Sequence, residues 1–74
     1  MTQDLNNTLV ILRLKQTVDR VRLSRSTIYQ LAKVGRFPRP IALTGSRSVG
    51  WLESEVQAWI AERVTASRAA KDVR

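Results

Sequence analysis

The 74-residue chain is long enough for one small domain. Its composition, with 43% hydrophobic and 26% charged residues, is typical of a globular protein. It contains neither cysteine nor histidine, which excludes disulfides, thiolate metal sites and histidine-based nucleophilic catalysis. Thirteen basic against six acidic residues give a net charge of +7, which indicates a polyanionic partner. We therefore expect a cytoplasmic, nucleoid-associated protein that is not an enzyme and uses no cofactor, metal ion or small-molecule substrate.

The positive charge is concentrated in one part of the chain. Between Arg13 and Arg47 a single acid, Asp19, accompanies nine basic residues: Arg13, Lys15, Arg20, Arg22, Arg25, Lys33, Arg36, Arg39 and Arg47. Scattered charge would be explained by solubility alone, whereas a local concentration favours binding to nucleic acid.

The first elements are a polar tail over residues 1–8 and a short apolar segment, Leu9–Leu12, which we expect to pack under the domain. Leu14, Val18 and Val21 then fall on one stripe of a helix, because successive helical residues turn by about 100°. The spacing predicts a helix over residues 15–21 with one buried edge.

A second helix is predicted over residues 25–34. Ser24 can cap its first turn, Leu23 and Ile28 can form a hydrophobic staple around that cap, and Gly35 can end the helix. Its buried face is predicted to comprise Ile28, Leu31, Ala32 and Val34, with Thr27 beside them. Only two residues separate the first helix from Ser24, so the pair is predicted to form a helix-turn-helix.

The opposite face of this second helix carries the candidate reading residues. Arginine, hydroxyl, phenol, amide and lysine groups occupy one arc, as base-edge recognition in a major groove requires. The same arc could be an ordinary solvated helix face. Taken with the preceding tight turn and the basic segment, we favour DNA binding by Arg25, Ser26, Thr27, Tyr29, Gln30 and Lys33.

A β-hairpin is predicted next, because the prolines at 38 and 40 force an extended chain and two alternating segments follow around a glycine. Its core-facing residues are predicted to be Ile41, Leu43, Val49 and Trp51. Arg36, Arg39, Ser46 and Arg47 flank or tip this hairpin, where they could contact phosphates or enter the minor groove. The alternative for each is a solvated loop edge.

The last element is a third helix with a capping box formed by Ser54 and Gln57. Its buried stripe is predicted to be Val56, Trp59, Ile60 and Val64, and we expect the chain to fray beyond about Thr65. The domain is thus predicted to span residues 9–65, between tails at 1–8 and 66–74. The fold class is mainly α with a small β-hairpin: a winged helix-turn-helix with a two-stranded wing and a C-terminal helix.

Several motifs together resemble the AlpA family of prophage regulators over about residues 12–61. They are Ser24-Arg-Ser-Thr-Ile-Tyr29, Gly35-Arg-Phe-Pro38, Gly50-Trp51 and Ser54-Glu-Val-Gln-Ala-Trp-Ile60. The resemblance implies a winged-helix fold related to MerR-type and excisionase-type domains, with residues 25–34 as the recognition helix and the hairpin around Arg47 as the wing. One departure is Arg22, which stands at a turn position where glycine is expected.

Three functions follow as hypotheses. The first is a sequence-specific, double-stranded DNA-binding transcription regulator of a prophage or other mobile element. The second is an excisionase-like factor that assists an integrase; for either of these functions, further copies of the protein on DNA are another candidate partner. The third is a protein-interaction adaptor whose basic face meets an acidic partner. Membrane-surface binding fits least, because no exposed apolar face adjoins the basic arc.

Overall fold

A computed structural model of the chain describes residues 9–45 and 47–73, so the predicted tail at residues 1–8 and Ser46 lie outside the described residues. In chain order the elements are β1 (Ile11–Leu12), α1 (Leu14–Val21), α2 (Arg25–Lys33), β2 (Ile41–Thr44), β3 (Ser48–Leu52) and α3 (Glu53–Val73). This mainly helical arrangement confirms the predicted fold class and is compatible with a winged helix-turn-helix.

The three strands form one antiparallel sheet with the order β1-β3-β2. Leu12 pairs with Trp51 on one side of β3, and Ile41 pairs with Gly50 on the other. The strand β1 extends the predicted two-stranded wing to three strands. Its two residues are too few to show the alternating pattern of a strand, and they become one only by pairing with β3.

The core lies between this sheet and the helices. Its buried residues come from five segments of the chain: Leu12, Ile28, Ala32, Phe37, Trp51 and Val56. The predicted stripe of α1, comprising Leu14, Val18 and Val21, packs against this core. The buried hydroxyl of Thr17 is satisfied because it donates to the carbonyl of Arg13 at 3.1 Å.

Both ends of α2 have the predicted caps. The Ser24 hydroxyl accepts a hydrogen bond from the Thr27 amide at 3.2 Å, and Gly35 adopts a φ of +80°. The helix ends at Lys33, one residue early, and the chain turns away there. The prediction that Val34 belongs to the buried face is therefore wrong, since its side chain is 67% exposed.

The turn between α1 and α2 requires a left-handed residue, as the resemblance suggested. Arg22 ends α1 with φ 63° and ψ 34°, and its amide donates to the Val18 carbonyl at 2.7 Å. In this region the β-carbon of a non-glycine residue crowds its own backbone, at a cost of about 1 kcal/mol. The tight turn of the helix-turn-helix thus forms despite the arginine.

The sequence placed Ile41 and Leu43 in the core, and this is wrong because β2 is exposed along its whole length. The register explains the error. Ile41 lies opposite Gly50, and neighbouring residues of a strand face opposite sides of the sheet, so Ile41 lies on the face away from Trp51. Leu43 packs over Gly50 on that same face.

The third helix differs from its prediction at both ends. It begins at Glu53, so Ser54 lies inside its first turn, and it continues to Val73 rather than ending near Thr65. Val56 is buried and Trp59 and Ile60 are half-buried, as predicted, but Val64 is 43% exposed, so its assignment to the buried stripe is wrong. The sheet and α1 cover only the first turns of α3, which explains the exposure.

Gly50 allows β1 to approach β3. A β-carbon at this position would lie 2.5 Å from Cγ2 of Ile11 and 3.0 Å from the carbonyl oxygen of Leu12. We expect Gly50→Ala to lower the free energy of unfolding by about 1–3 kcal/mol, the usual cost of overpacking, as measured by thermal or urea unfolding. The Ile11→Ala change should cost less in that background than in the wild type. An unchanged melting temperature for Gly50→Ala would contradict the β1–β3 contact.

Candidate nucleic-acid interface

The outward face of α2 presents the polar groups that the sequence predicted. The side chains of Arg25, Ser26, Tyr29, Gln30 and Lys33 are all exposed. The cap at Ser24 fixes where the helix begins, and the buried Ile28 and Ala32 fix its rotation about its own axis. The five groups consequently form one surface of a rigid helix rather than a set of loop side chains.

Two members of the predicted set also serve the fold. The ring of Tyr29 meets Trp51 edge to face, with 5.9 Å between centroids and 60° between planes, while 43% of the residue is exposed. The hydroxyl of Thr27 lies 2.9 Å from that of Ser24, and Thr27 is half-buried. Tyr29 is thereby held with its ring against the core, and Thr27 is engaged in the helix cap.

The loop after α2 carries two of the predicted arginines, Arg36 and Arg39. Arg36 lines two neighbouring features: a shallow depression that it shares with Gln30 and Lys33, and the groove between this loop and α3. Arg39 lines the groove between this loop and α3, where Glu55 and Glu62 are also found. Both arginines are exposed.

The two tryptophans anchor this loop through hydrogen bonds to its backbone carbonyls. The Trp59 indole N–H donates to the Arg36 carbonyl at 2.7 Å, and the Trp51 indole N–H donates to the Pro38 carbonyl at 2.8 Å. Between these carbonyls Phe37 is buried, with its ring centroid 4.9 Å from that of Trp59 and 6.5 Å from that of Trp51. The sequence predicted that both tryptophans point inward, but periodicity carries no signal for the two hydrogen bonds.

The hairpin presents Arg47 at its turn. This side chain is exposed, Gly45 before it has a φ of +62°, and Ser46 lies outside the described residues. Arg13 is bonded to the hairpin backbone, since its Nε donates to the Val49 carbonyl at 3.2 Å.

The basic residues between Arg13 and Arg47 fall into two groups: those whose side chains bond another part of the fold and those whose side chains do not. Arg20 forms an ion pair with Glu53, with 2.8 Å from Nη2 to Oε2, and Arg13 bonds the hairpin backbone. Within residues 9–45 and 47–70, the other seven side chains make neither an ion pair nor a side-chain hydrogen bond, and all are exposed: Lys15, Arg22, Arg25, Lys33, Arg36, Arg39 and Arg47. The sequence showed the charge concentration but not which cations the fold already uses.

Among the described residues, no helix combines the length and apolar character needed to cross a membrane.

Comparison with known proteins gave a family match and two relatives. The family model described as prophage CP4-57 regulatory protein (AlpA) matches residues 10–64. A protein of Enterobacteria phage P4, named uncharacterized protein ORF88, is 43% identical over 61 residues, which cover 82% of this chain and 68% of the relative. The DNA-binding transcriptional activator AlpA of Escherichia coli (strain K12) is 34% identical over 59 residues, which cover 72% of this chain and 83% of the relative.

Proposed function

Because the chain belongs to the AlpA family of prophage regulatory proteins, we propose that it is a sequence-specific DNA-binding transcription regulator of a prophage or related mobile element. The observation that carries the proposal is the exposed polar face of α2, which is fixed in rotation by its own cap and core. The relative from Escherichia coli is named a DNA-binding transcriptional activator, which supports the same reading.

The proposed mechanism places α2 in a major groove. A groove about 12 Å wide admits one helix, and its base edges offer distinguishable donors and acceptors. Gln30 can make a bidentate pair with adenine, and Arg25 can make one with guanine. Thr27 and Ser26 lie in the first turn, where the backbone amides and the positive end of the helix dipole suit a phosphate.

The proposed wing contact is electrostatic. Arg47 at the hairpin turn and Arg36 in the loop after α2 add exposed guanidinium groups to the proposed interface. Guanidinium groups bind phosphate oxygens in two-pronged geometry and carry no sequence information when they do so. Arg39 is assigned the same role from the groove side of the loop.

A footprint on the promoters and attachment sites of the element that carries this gene tests the proposal directly. Protection of a promoter segment is expected of a transcription regulator. Protection confined to attachment sites would replace this proposal with an excision factor, which uses the same surface. No protection of any duplex would leave the protein-interaction adaptor as the explanation of the basic face.

A second prediction separates base reading from backbone holding. We expect Gln30→Ala and Arg25→Ala to lower the ratio of target to scrambled-duplex affinity, because a lost base contact costs about 1–3 kcal/mol at one position. Arg47→Ala should weaken both duplexes equally and make the slope of log affinity against log salt shallower by about one unit. Gln57→Ala, which removes an exposed amide from α3, is the matched control for Gln30.

These affinities can be measured by fluorescence anisotropy at two salt concentrations. If Arg47→Ala changed sequence preference while the α2 variants did not, the wing would be the reader and the assigned roles would be reversed.

A further inference from the structure

We infer that Trp59 is a positioning residue for DNA binding: its indole N–H holds the backbone of Arg36 so that this arginine is preset to contact a phosphate. The inference rests on the proposed function and assigns a role to a residue on α3, a helix outside the helix-turn-helix itself.

The backbone of Arg36 is fixed on both sides. Its amide donates to the Leu31 carbonyl at 2.8 Å, which ties it to the last turn of α2, and its carbonyl accepts from Trp59 at 2.7 Å. The second hydrogen bond crosses from α3, 23 residues further along the chain. Trp59 therefore gives the loop a second anchor where it leaves α2, in addition to the hydrogen bond to α2 itself.

The side chain of Trp59 is itself held in place. One contact is the buried ring of Phe37, edge to face at 4.9 Å, and another is the guanidinium of Arg63, 5.9 Å from the indole centroid. A donor on a side chain with these two contacts has a fixed direction. The carbonyl that it binds belongs to Arg36, whose side chain is exposed and which lines both the depression with Gln30 and Lys33 and the groove beside α3.

Core packing alone would not require this arrangement. Trp59 is only half-buried, and its hydrogen bond with the loop is at the exposed rim, where water could satisfy both groups. Trp51 already supplies the fully buried aromatic ring and anchors Pro38. What the Trp59 bond adds is an immobilised backbone under Arg36, which lowers the entropy that this residue loses when it binds DNA.

The test is a double-mutant cycle on DNA affinity between Trp59→Phe and Arg36→Ala. Phenylalanine keeps a ring against Phe37 and removes the donor. We expect Trp59→Phe to weaken duplex binding by about threefold to tenfold, the range for reordering one long side chain. Its salt slope should move toward that of Arg36→Ala, which we expect to be shallower by about one unit. Arg36→Ala should then have little further effect in the Trp59→Phe background.

Arg68→Ala is the matched control, because it removes one exposed charge from the same helix and should leave the salt slope unchanged. Circular dichroism and tryptophan fluorescence show that each variant is folded at the assay temperature, with Trp51 as the one remaining tryptophan in Trp59→Phe. Should Trp59→Phe not fold, synthesis of the chain with benzothienylalanine at position 59 removes the N–H and keeps the shape of the ring system.

Additive effects of the two changes, or a Trp59→Phe protein with unchanged affinity and slope, would overturn the inference and leave DNA binding by α2 intact. A wild-type protein with no salt-dependent duplex binding would overturn the proposed function and this inference together. The two failures are therefore distinguishable in the same data set.

Discussion

Trp51→Ala is expected to unfold the domain. The indole is fully buried, contacts the rings of Tyr29 and Phe37, and donates its N–H to the Pro38 carbonyl. Truncating a buried tryptophan costs about 3–5 kcal/mol. A domain of this length has a total stability of about 4–11 kcal/mol, and the loss is comparable with the whole of it at the lower end of that range. Far-UV circular dichroism and a thermal melt measure the effect.

Val64→Ala is the control for that experiment. Val64 is 43% exposed on α3, and alanine is a better helix former than valine. The free energy of unfolding should therefore change by less than about 0.5 kcal/mol. A folded Trp51→Ala protein with the melting temperature of the wild type would contradict the position of β3 in the sheet.

Duplex DNA binding is expected to depend steeply on salt. Seven exposed cations of the basic segment have no partner among the described side chains, and we expect about five of them to meet phosphates, which gives a slope of log affinity against log salt near −4 to −5. Raising the salt from 50 to 200 mM should then weaken binding by roughly 300- to 1,000-fold. Titration of a labelled duplex at four salt concentrations measures the slope.

Arg20→Gln is the control for the salt experiment. The guanidinium of Arg20 is already paired with Glu53, so its loss should leave the slope unchanged even though it removes one charge. A slope near zero for the wild type would remove the nucleic-acid function. If the slope became as shallow in Arg20→Gln as in a variant that loses an unpaired cation, such as Arg47→Ala, then net charge rather than the unpaired cations would determine binding.

The sequence by itself determined the helix-turn-helix and its exposed polar face. The apolar spacing in α1, the cap at Ser24 and the glycine at 35 are local signals, because each acts through residues within about one turn of itself. The left-handed turn at Arg22 followed from the resemblance to the AlpA family. These local features also decided which side chains of α2 face outward.

Only the tertiary structure decided the sheet and the loop. Residues 11 and 12 form strand β1 only because they pair with β3. Ile41 faces away from the core because it lies opposite Gly50 rather than Trp51. The hydrogen bonds from the two tryptophans to the loop around Phe37 join residues 13 and 23 positions apart. Such contacts depend on register and distance between separate elements, which a periodic pattern along one segment does not encode.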